Sequence, residues 1–274
     1  MPRTPENTVP FASIPAGTVQ LRDARSSSTR TVALVPFEIG TTPVTFDQWS
    51  DPGITANPRG ALPVHPVTWF EAIRWCNSAS LVAGLKPAYG VNGRNVVWDV
   101  TADGYRLPTE AEWEWACRAG TTGPTHGKLE DIAWTAADDV DGPQGVALKQ
   151  PNSFGLFDTI GNVWEWCWDY ADTARYADYR SLRGGGWADK KWSCRVAVRR
   201  GSAPDAVLED VGFRVARGAV GEPGGAAAQG WSAEADRRRA DIRGPLPVGW
   251  TPLRGLLKPS GPSTAGEPQP VDVA

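Results

Sequence analysis

Two acids, Asp158 and Glu165, lie seven residues apart and flank the turn Gly161-Asn162-Val163. A Gly-Asn turn exposes main-chain carbonyls, so these carboxylates with the carbonyls of Gly161 and Val163 make an oxygen-rich set of the kind calcium takes. On spacing alone the pair reads as a solvated turn. The acidic run Asp138-Asp139-Val140-Asp141 is a weaker ion candidate, because an acidic cluster in a loop is usually just solvated.

Softer ligands are scarce. The cysteines are Cys76, Cys117, Cys167 and Cys194, with no C-x-x-C and no Cys/His cluster, so buried structural thiols are expected rather than a metal site or a disulfide scaffold. Cys167 and Cys194 can approach across neighbouring strands. The two histidines, His65 and His126, have no carboxylate at ligand spacing. A Gly-x-Ser-x-Gly nucleophile elbow is absent from the sequence.

A third chemistry lies between Gly184 and Arg200, where Trp187, Asp189, Trp192, Arg195, Arg199 and Arg200 crowd together. Tryptophan faces and guanidinium forks can hold a peptide, a carboxylate or a sugar. The same residues equally describe core tryptophans and strand-surface arginines paired with local acids. Trp187, next to a tight Gly turn, is expected to be structural. Trp192, flanked by Lys191 and Ser193, is expected to be exposed and to form the ligand surface with Asp189, Arg195, Arg199 and Arg200.

The elements that position these groups follow Gly and Pro punctuation. Residues 11–39 read as strands broken by a polar turn at 26–30. Phe46 to Trp49 reads as a helical turn. Thr68 with Glu71, and Thr109 with Glu112, are capping boxes opening two helices, the first ended by Gly84 and the second running to about Arg118. Strands are expected at Val96–Val100, Trp164–Trp168, Leu182–Trp187, Cys194–Arg199 and Gly212–Ala216, with a short strand or turn at Ile132–Trp134.

Beyond Arg217 a Gly/Pro-rich linker leads to a short charged helix, Ser232 to Arg243, and a tail disordered from Pro259. Trp231, Trp250 and Leu253 can fold that tail back. The division is an N-terminal extension at 1–10, a domain at 11–217, and linker, helix and tail at 218–274. No internal repeat is visible.

Composition sets the class. Fourteen tryptophans must place fourteen indole N–H groups, and 30 Gly with 24 Pro break regular elements, so the core belongs to a loop-rich fold. The net charge of −3 gives no electrostatic footprint for nucleic acid. The N-terminus lacks a signal-peptide pattern, and no run of about 18 apolar residues occurs. A cytoplasmic protein without nucleic-acid or membrane partners is expected.

Four segments, Tyr105-Arg106-Leu107-Pro108-Thr109-Glu110-Ala111-Glu112-Trp113-Glu114-Trp115, Gly161-Asn162-Val163-Trp164-Glu165-Trp166, Leu182-Arg183-Gly184-Gly185-Gly186-Trp187 and Val211-Gly212-Phe213-Arg214-Val215-Ala216-Arg217, occur in fixed order. In that order and spacing, from about Phe11 to Arg217, the chain resembles the sulfatase-modifying-factor family, best known for the formylglycine-generating enzyme. The resemblance implies an α+β, elaborated C-type lectin-like fold with two helices, small antiparallel sheets and much irregular chain. It also implies a structural calcium held by Asp158, Gly161, Val163 and Glu165.

The family's enzymes bind monovalent copper through two cysteines between the Gly-Gly and Gly-Phe-Arg motifs. Here that stretch has one, Cys194. Counted back from Gly212-Phe213-Arg214, the pair falls near Lys191 and Val196, out of register with Cys194. Copper is therefore not expected. Related sulfoxide synthases use three histidines on iron and a further helical domain, and this chain has two histidines in all. Other relatives use the region as a variable ligand-binding surface. The expected function is a ligand- or protein-binding module without formylglycine-generating activity, taking a peptide, protein or small molecule. The alternative is an oxidoreductase or biosynthetic tailoring enzyme of the same family, using another metal or none. Scaffold alone does not choose between them.

Overall fold

The computed structural model describes residues 9–23, 28–49, 59–173 and 175–240. The first half carries β1 (Phe11–Ile14), β2 (Gly17–Asp23), β3 (Ser28–Leu34), β4 (Phe37–Gly40), α1 (Phe46–Trp49), α2 (Trp69–Val82), β5 (Tyr89–Asn92), β6 (Asn95–Trp98), β7 (Tyr105–Arg106), α3 (Glu110–Arg118) and α4 (Leu129–Ile132). The second carries β8 (Trp164–Tyr170), β9 (Arg180–Arg183), β10 (Arg199–Ser202), β11 (Val211–Gly212), β12 (Ala216–Arg217), β13 (Ala227–Ala228), β14 (Trp231–Ser232) and α5 (Ala233–Ala240).

Both capping boxes form. The Thr68 hydroxyl accepts the Glu71 amide at 3.2 Å while Glu71 accepts the Thr68 amide at 2.8 Å. At α3, Thr109 accepts the Glu112 amide at 3.1 Å and Glu112 returns the bond at 2.9 Å. Trp69, Ile73, Cys76 and Ser80 share the buried face of α2. These are the two main helices expected from sequence; α1 is the turn expected at Phe46–Trp49, and α5 takes up Ala233–Ala240 of the helix expected over Ser232–Arg243, whose last residues lie outside those described.

Two small sheets organise the rest. One runs β1-β4-β12-β7, entirely antiparallel, and the other β10-β9-β8-β11. In the second, β11 lies parallel to β8, pairing Val211 with Trp164 and Gly212 with Glu165, an exception to the expected antiparallel pattern. The tryptophan core meets its composition's demand in part: Trp69 donates to the Cys167 carbonyl at 3.0 Å and Trp166 to that of Val67 at 2.8 Å, while the buried indole N–H groups of Trp98, Trp134, Trp168 and Trp187 find no partner among the described residues.

Several local expectations fail: of Leu182–Trp187 only Leu182 and Arg183 are strand, the Gly turn following, and Gly212–Ala216 is split between β11 and β12 by irregular chain at 213–215. The strand expected at Cys194–Arg199 is a chain of turns up to Val198, and only Arg199 joins a strand, β10; Val196 donates to Pro124 (2.9 Å) and Val198 to Arg195 (3.1 Å), so this stretch is a turn packed on another loop. The short strand or turn expected at Ile132–Trp134 is instead the end of one helical turn, Leu129–Ile132, followed by irregular chain, and β5, the partner of β6, carries no clear strand pattern in its sequence. The chain after Arg217 is not a loose linker. Val220 donates to Val100 at 3.0 Å, and the Gln229 amide bonds both the N–H (3.0 Å) and C=O (3.1 Å) of Val35. Trp231 packs 5.4 Å from both Trp98 and Trp168. Trp250, Leu253, the tail from Pro259 and residues 1–8 of the N-terminal extension lie outside the described residues. Among those described, no helix is long and apolar enough to cross a membrane.

Candidate functional site

Strand β8 places Glu165 at the centre of the molecule, where its side chain is fully enclosed. Arg214 donates Nε to Oε2 and Nη2 to Oε1, both at 2.7 Å, and Trp113 donates Nε1 to Oε2 at 2.7 Å. Of the residues expected to hold calcium, Glu165 is therefore already engaged by a cation. Asp158 is different. Its Oδ2 accepts the Ala147 amide at 2.8 Å, whereas its Oδ1 is buried and makes no well-formed hydrogen bond among the described residues, the Asn162 side chain acting on the carboxyl only weakly. Burial, with a smaller push from Glu165, raises this carboxyl to about 6. Gly161, between them, has φ +74 and sits so close to Trp134 that a Cβ would lie 2.2 Å from the Trp134 carbonyl oxygen.

In the weaker acidic loop Asp138 is already engaged. Asp138 accepts the Thr135 amide at 2.8 Å and pairs with Lys149 at 2.6 Å. His65 Nδ1 is bonded to the Pro63 carbonyl at 2.7 Å, and His126 Nε2 lies 3.1 Å from Thr159 Oγ1. Burial holds His126 down to about 4, so it stays neutral. Among the described residues, no three His, Cys, Asp or Glu side chains gather as metal ligands.

The Trp/Arg segment divides. Asp189 is a turn-former whose Oδ2 accepts Trp164 Nε1 at 2.7 Å and the Gly186 amide at 2.9 Å, pinning the Gly-rich turn to β8. Arg199 is locked to Glu110 by two bonds of 2.8 and 2.6 Å. Trp192 is 66% exposed, in line with its polar flanks, and Arg195 beside it donates Nε to the Trp192 carbonyl at 2.7 Å. Arg200 is exposed, its guanidinium 5.8 Å from the Trp164 ring. All four cysteines are free and buried, Cys167 and Cys194 included. Cys194 Sγ lies 3.9 Å from the carbonyl oxygens of Gly186 and Asp189, and burial with nearby carboxylates pushes its thiol up to about 12.

A cavity of 460 Å³ opens beside this segment, lined by Pro66, Trp187, Arg200, Leu208, Glu209 and Asp210 among others. Trp187 is thus half-buried cavity wall rather than pure core, and its indole N–H has no partner. The acids Glu209 and Asp210 escaped sequence reading because Ala206-Val207-Leu208-Glu209-Asp210 carries no motif or periodicity.

The four sequence motifs converge through buried ion pairs. Arg106 pairs with Glu112 (2.6 Å) inside the first motif, whose Glu114 meets Arg183 of the third, while Glu165 of the second meets Arg214 of the fourth. Residues 1–219 match the Sulfatase-modifying factor enzyme 1-like domain. The chain belongs to the sulfatase-modifying factor family. It is 30% identical over 235 residues to Chaperone protein LppX of Paenibacillus barcinonensis, covering 70% of this chain and 84% of that one. It is also 38% identical over 141 residues to Inactive C-alpha-formylglycine-generating enzyme 2 of Bos taurus, where the match covers 44% of this chain and 46%, about half, of the relative. The solved structure of Treponema denticola variable protein 1 superposes with a TM-score of 0.66 at 31% identity, covering 76% of this chain and 94% of the other. In this member of the sulfatase-modifying factor family, then, the shared motifs build the scaffold by closing buried pairs, and the residues facing the cavity lie largely outside them.

Proposed function

We propose that the protein is a binding module of the sulfatase-modifying factor family, taking a peptide, protein or small-molecule ligand at the face formed by residues 187–200 and 207–210, and that it does not generate formylglycine. One observation carries this reading. Monovalent copper needs soft thiolate ligands, and between Gly184 and Arg200 stands a single cysteine, buried and held protonated at neutral pH. The residues present do not fit that metal. The names of two relatives, an inactive formylglycine-generating enzyme and a chaperone, lend the reading support. Incubating the copper-treated protein with a sulfatase-motif peptide tests it by mass spectrometry. The peptide cysteine should remain unchanged; a mass loss matching aldehyde formation and sensitive to Cys194→Ser would overturn the proposal.

A structural calcium is the second part of the proposal. An orphaned buried carboxylate oxygen, Asp158 Oδ1, is a group that a hard cation would satisfy. Asp158 with the carbonyls of Gly161 and Val163 would hold the ion, and any share of Glu165 would be taken in competition with Arg214. The ion would supply charge neutralisation to a buried turn and no reaction chemistry.

A further inference from the structure

We infer that the cavity beside Trp187 takes a small zwitterion, a free amino acid or dipeptide with an apolar side chain, its carboxylate held by Arg200 and its ammonium by Asp210 and Glu209. The inference rests on the binding-module reading and names the ligand class of that face.

Charge makes the argument. Many of the described guanidinium groups close onto carboxylates, as Arg199 does on Glu110 and Arg214 on Glu165. Arg200 does not: among the described residues it has no hydrogen bond or ion pair, and it lines the cavity with its donors unengaged. Asp210 and Glu209 line the same cavity, and neither carboxylate closes a salt bridge with a described cation; burial raises the Asp210 carboxyl, and the nearby charge of Arg200 opposes that shift without contact. A planar guanidinium fork matches a carboxylate, while two acids on the same cavity match an ammonium. A simple anion would meet the acids and a simple cation would meet Arg200, so a ligand carrying both charges is the one that satisfies every group.

The geometry is preset. The Asp210 carbonyl accepts the Trp164 amide at 2.8 Å, and Asp210 closes on Gly186, where an added Cβ would lie 3.2 Å from the Asp210 carboxylate. On the far side Trp187 is fixed by its own amide donating to Asn162 at 2.8 Å. The half-buried indole, Pro66 and Leu208 give the apolar surface for a side chain. The 460 Å³ volume falls in the range of about 300–1,000 Å³ typical of small-molecule sites.

Calorimetric titration of the full chain with leucine, leucyl-leucine, N-acetyl-leucine and leucinamide tests this. Leucine or its dipeptide should bind, and blocking either charge should weaken binding about tenfold or more, as expected for loss of a charge-assisted hydrogen bond. Arg200→Gln should erase the preference for leucine over leucinamide, and Asp210→Asn the preference over N-acetyl-leucine, with unchanged melting temperatures showing that both variants fold. Equal affinity for the blocked and unblocked forms, or no binding of leucine or leucyl-leucine tighter than about 1 mM, would overturn the zwitterion. Turnover of the sulfatase-motif peptide would instead overturn the binding-module reading, so the two failures are told apart.

Discussion

Glu165 on β8 and Arg214 just after β11 face each other with both carboxylate oxygens bonded at 2.7 Å and neither side chain reachable by solvent. The parallel pairing of Gly212 with Glu165 brings them together, and Arg214 also donates to the carbonyls of Gly40 (3.0 Å) and Phe157 (2.9 Å). One residue thereby ties both four-stranded sheets to the loop that carries Asp158.

Removing one partner leaves the other charge buried alone, which costs about 3–5 kcal/mol. Arg214→Ala and Glu165→Gln should each destabilise the protein by about that amount in urea unfolding. A loss below about 1 kcal/mol, the range of a surface pair, would show that the pair is solvated.

Asp158 should make stability depend on pH in a defined sense. Its native carboxyl sits at about 6, above the ordinary 3.8, so the native state binds this proton more tightly than the unfolded chain does. The stabilisation is full below the unfolded value and is lost as pH rises through about 6. Calcium, which needs the charged form, should therefore raise the melting temperature at about pH 8 and have little effect at about pH 5. Asp158→Asn should remove both the calcium response and this part of the pH dependence. Asn tolerates the positive φ of 53 found there. A calcium response that survives the substitution would place the ion elsewhere.

The two tryptophans of the ligand face should separate by stability. Trp192→Ala should stay within about 0.5 kcal/mol of the parent, as exposed positions do. Trp187→Ala, half-buried, should cost more than this and less than the about 3–5 kcal/mol of a fully packed tryptophan, and should weaken ligand binding. Thermal melts of both decide it; unfolding by Trp192→Ala would contradict its exposure.

The segment after Arg217 should be part of the stable unit. Trp231 covers Trp98 and Trp168 and donates Nε1 to Asp236 at 2.9 Å, while Thr173 bonds the Asp236 carbonyl at 3.0 Å. Trp231→Ala should cost about 3–5 kcal/mol, and truncation at Arg217 should lower the melting temperature sharply. A truncated chain that melts like the parent would show the segment to be an accessory.

Much of the scaffold was legible in the chain because its signals are local. Thr68 with Glu71, and Thr109 with Glu112, announce helices through bonds spanning three residues, and these form as read. The ordered motifs are legible for a similar reason: each carries its own half of a buried pair, and Arg106 with Glu112 closes within one motif. Burial partners distant in sequence left no such trace. That Glu165 meets Arg214, that Arg199 is spent on Glu110 while Arg200 is not, and that Glu209 and Asp210 share a cavity with Trp187 depend on segments from 22 to 89 residues apart meeting in space. Adjacent arginines look alike in a sequence. Only the tertiary fold, by giving one a buried carboxylate and turning the other toward an open cavity, decides which of them holds the structure and which stays unpaired among the described residues.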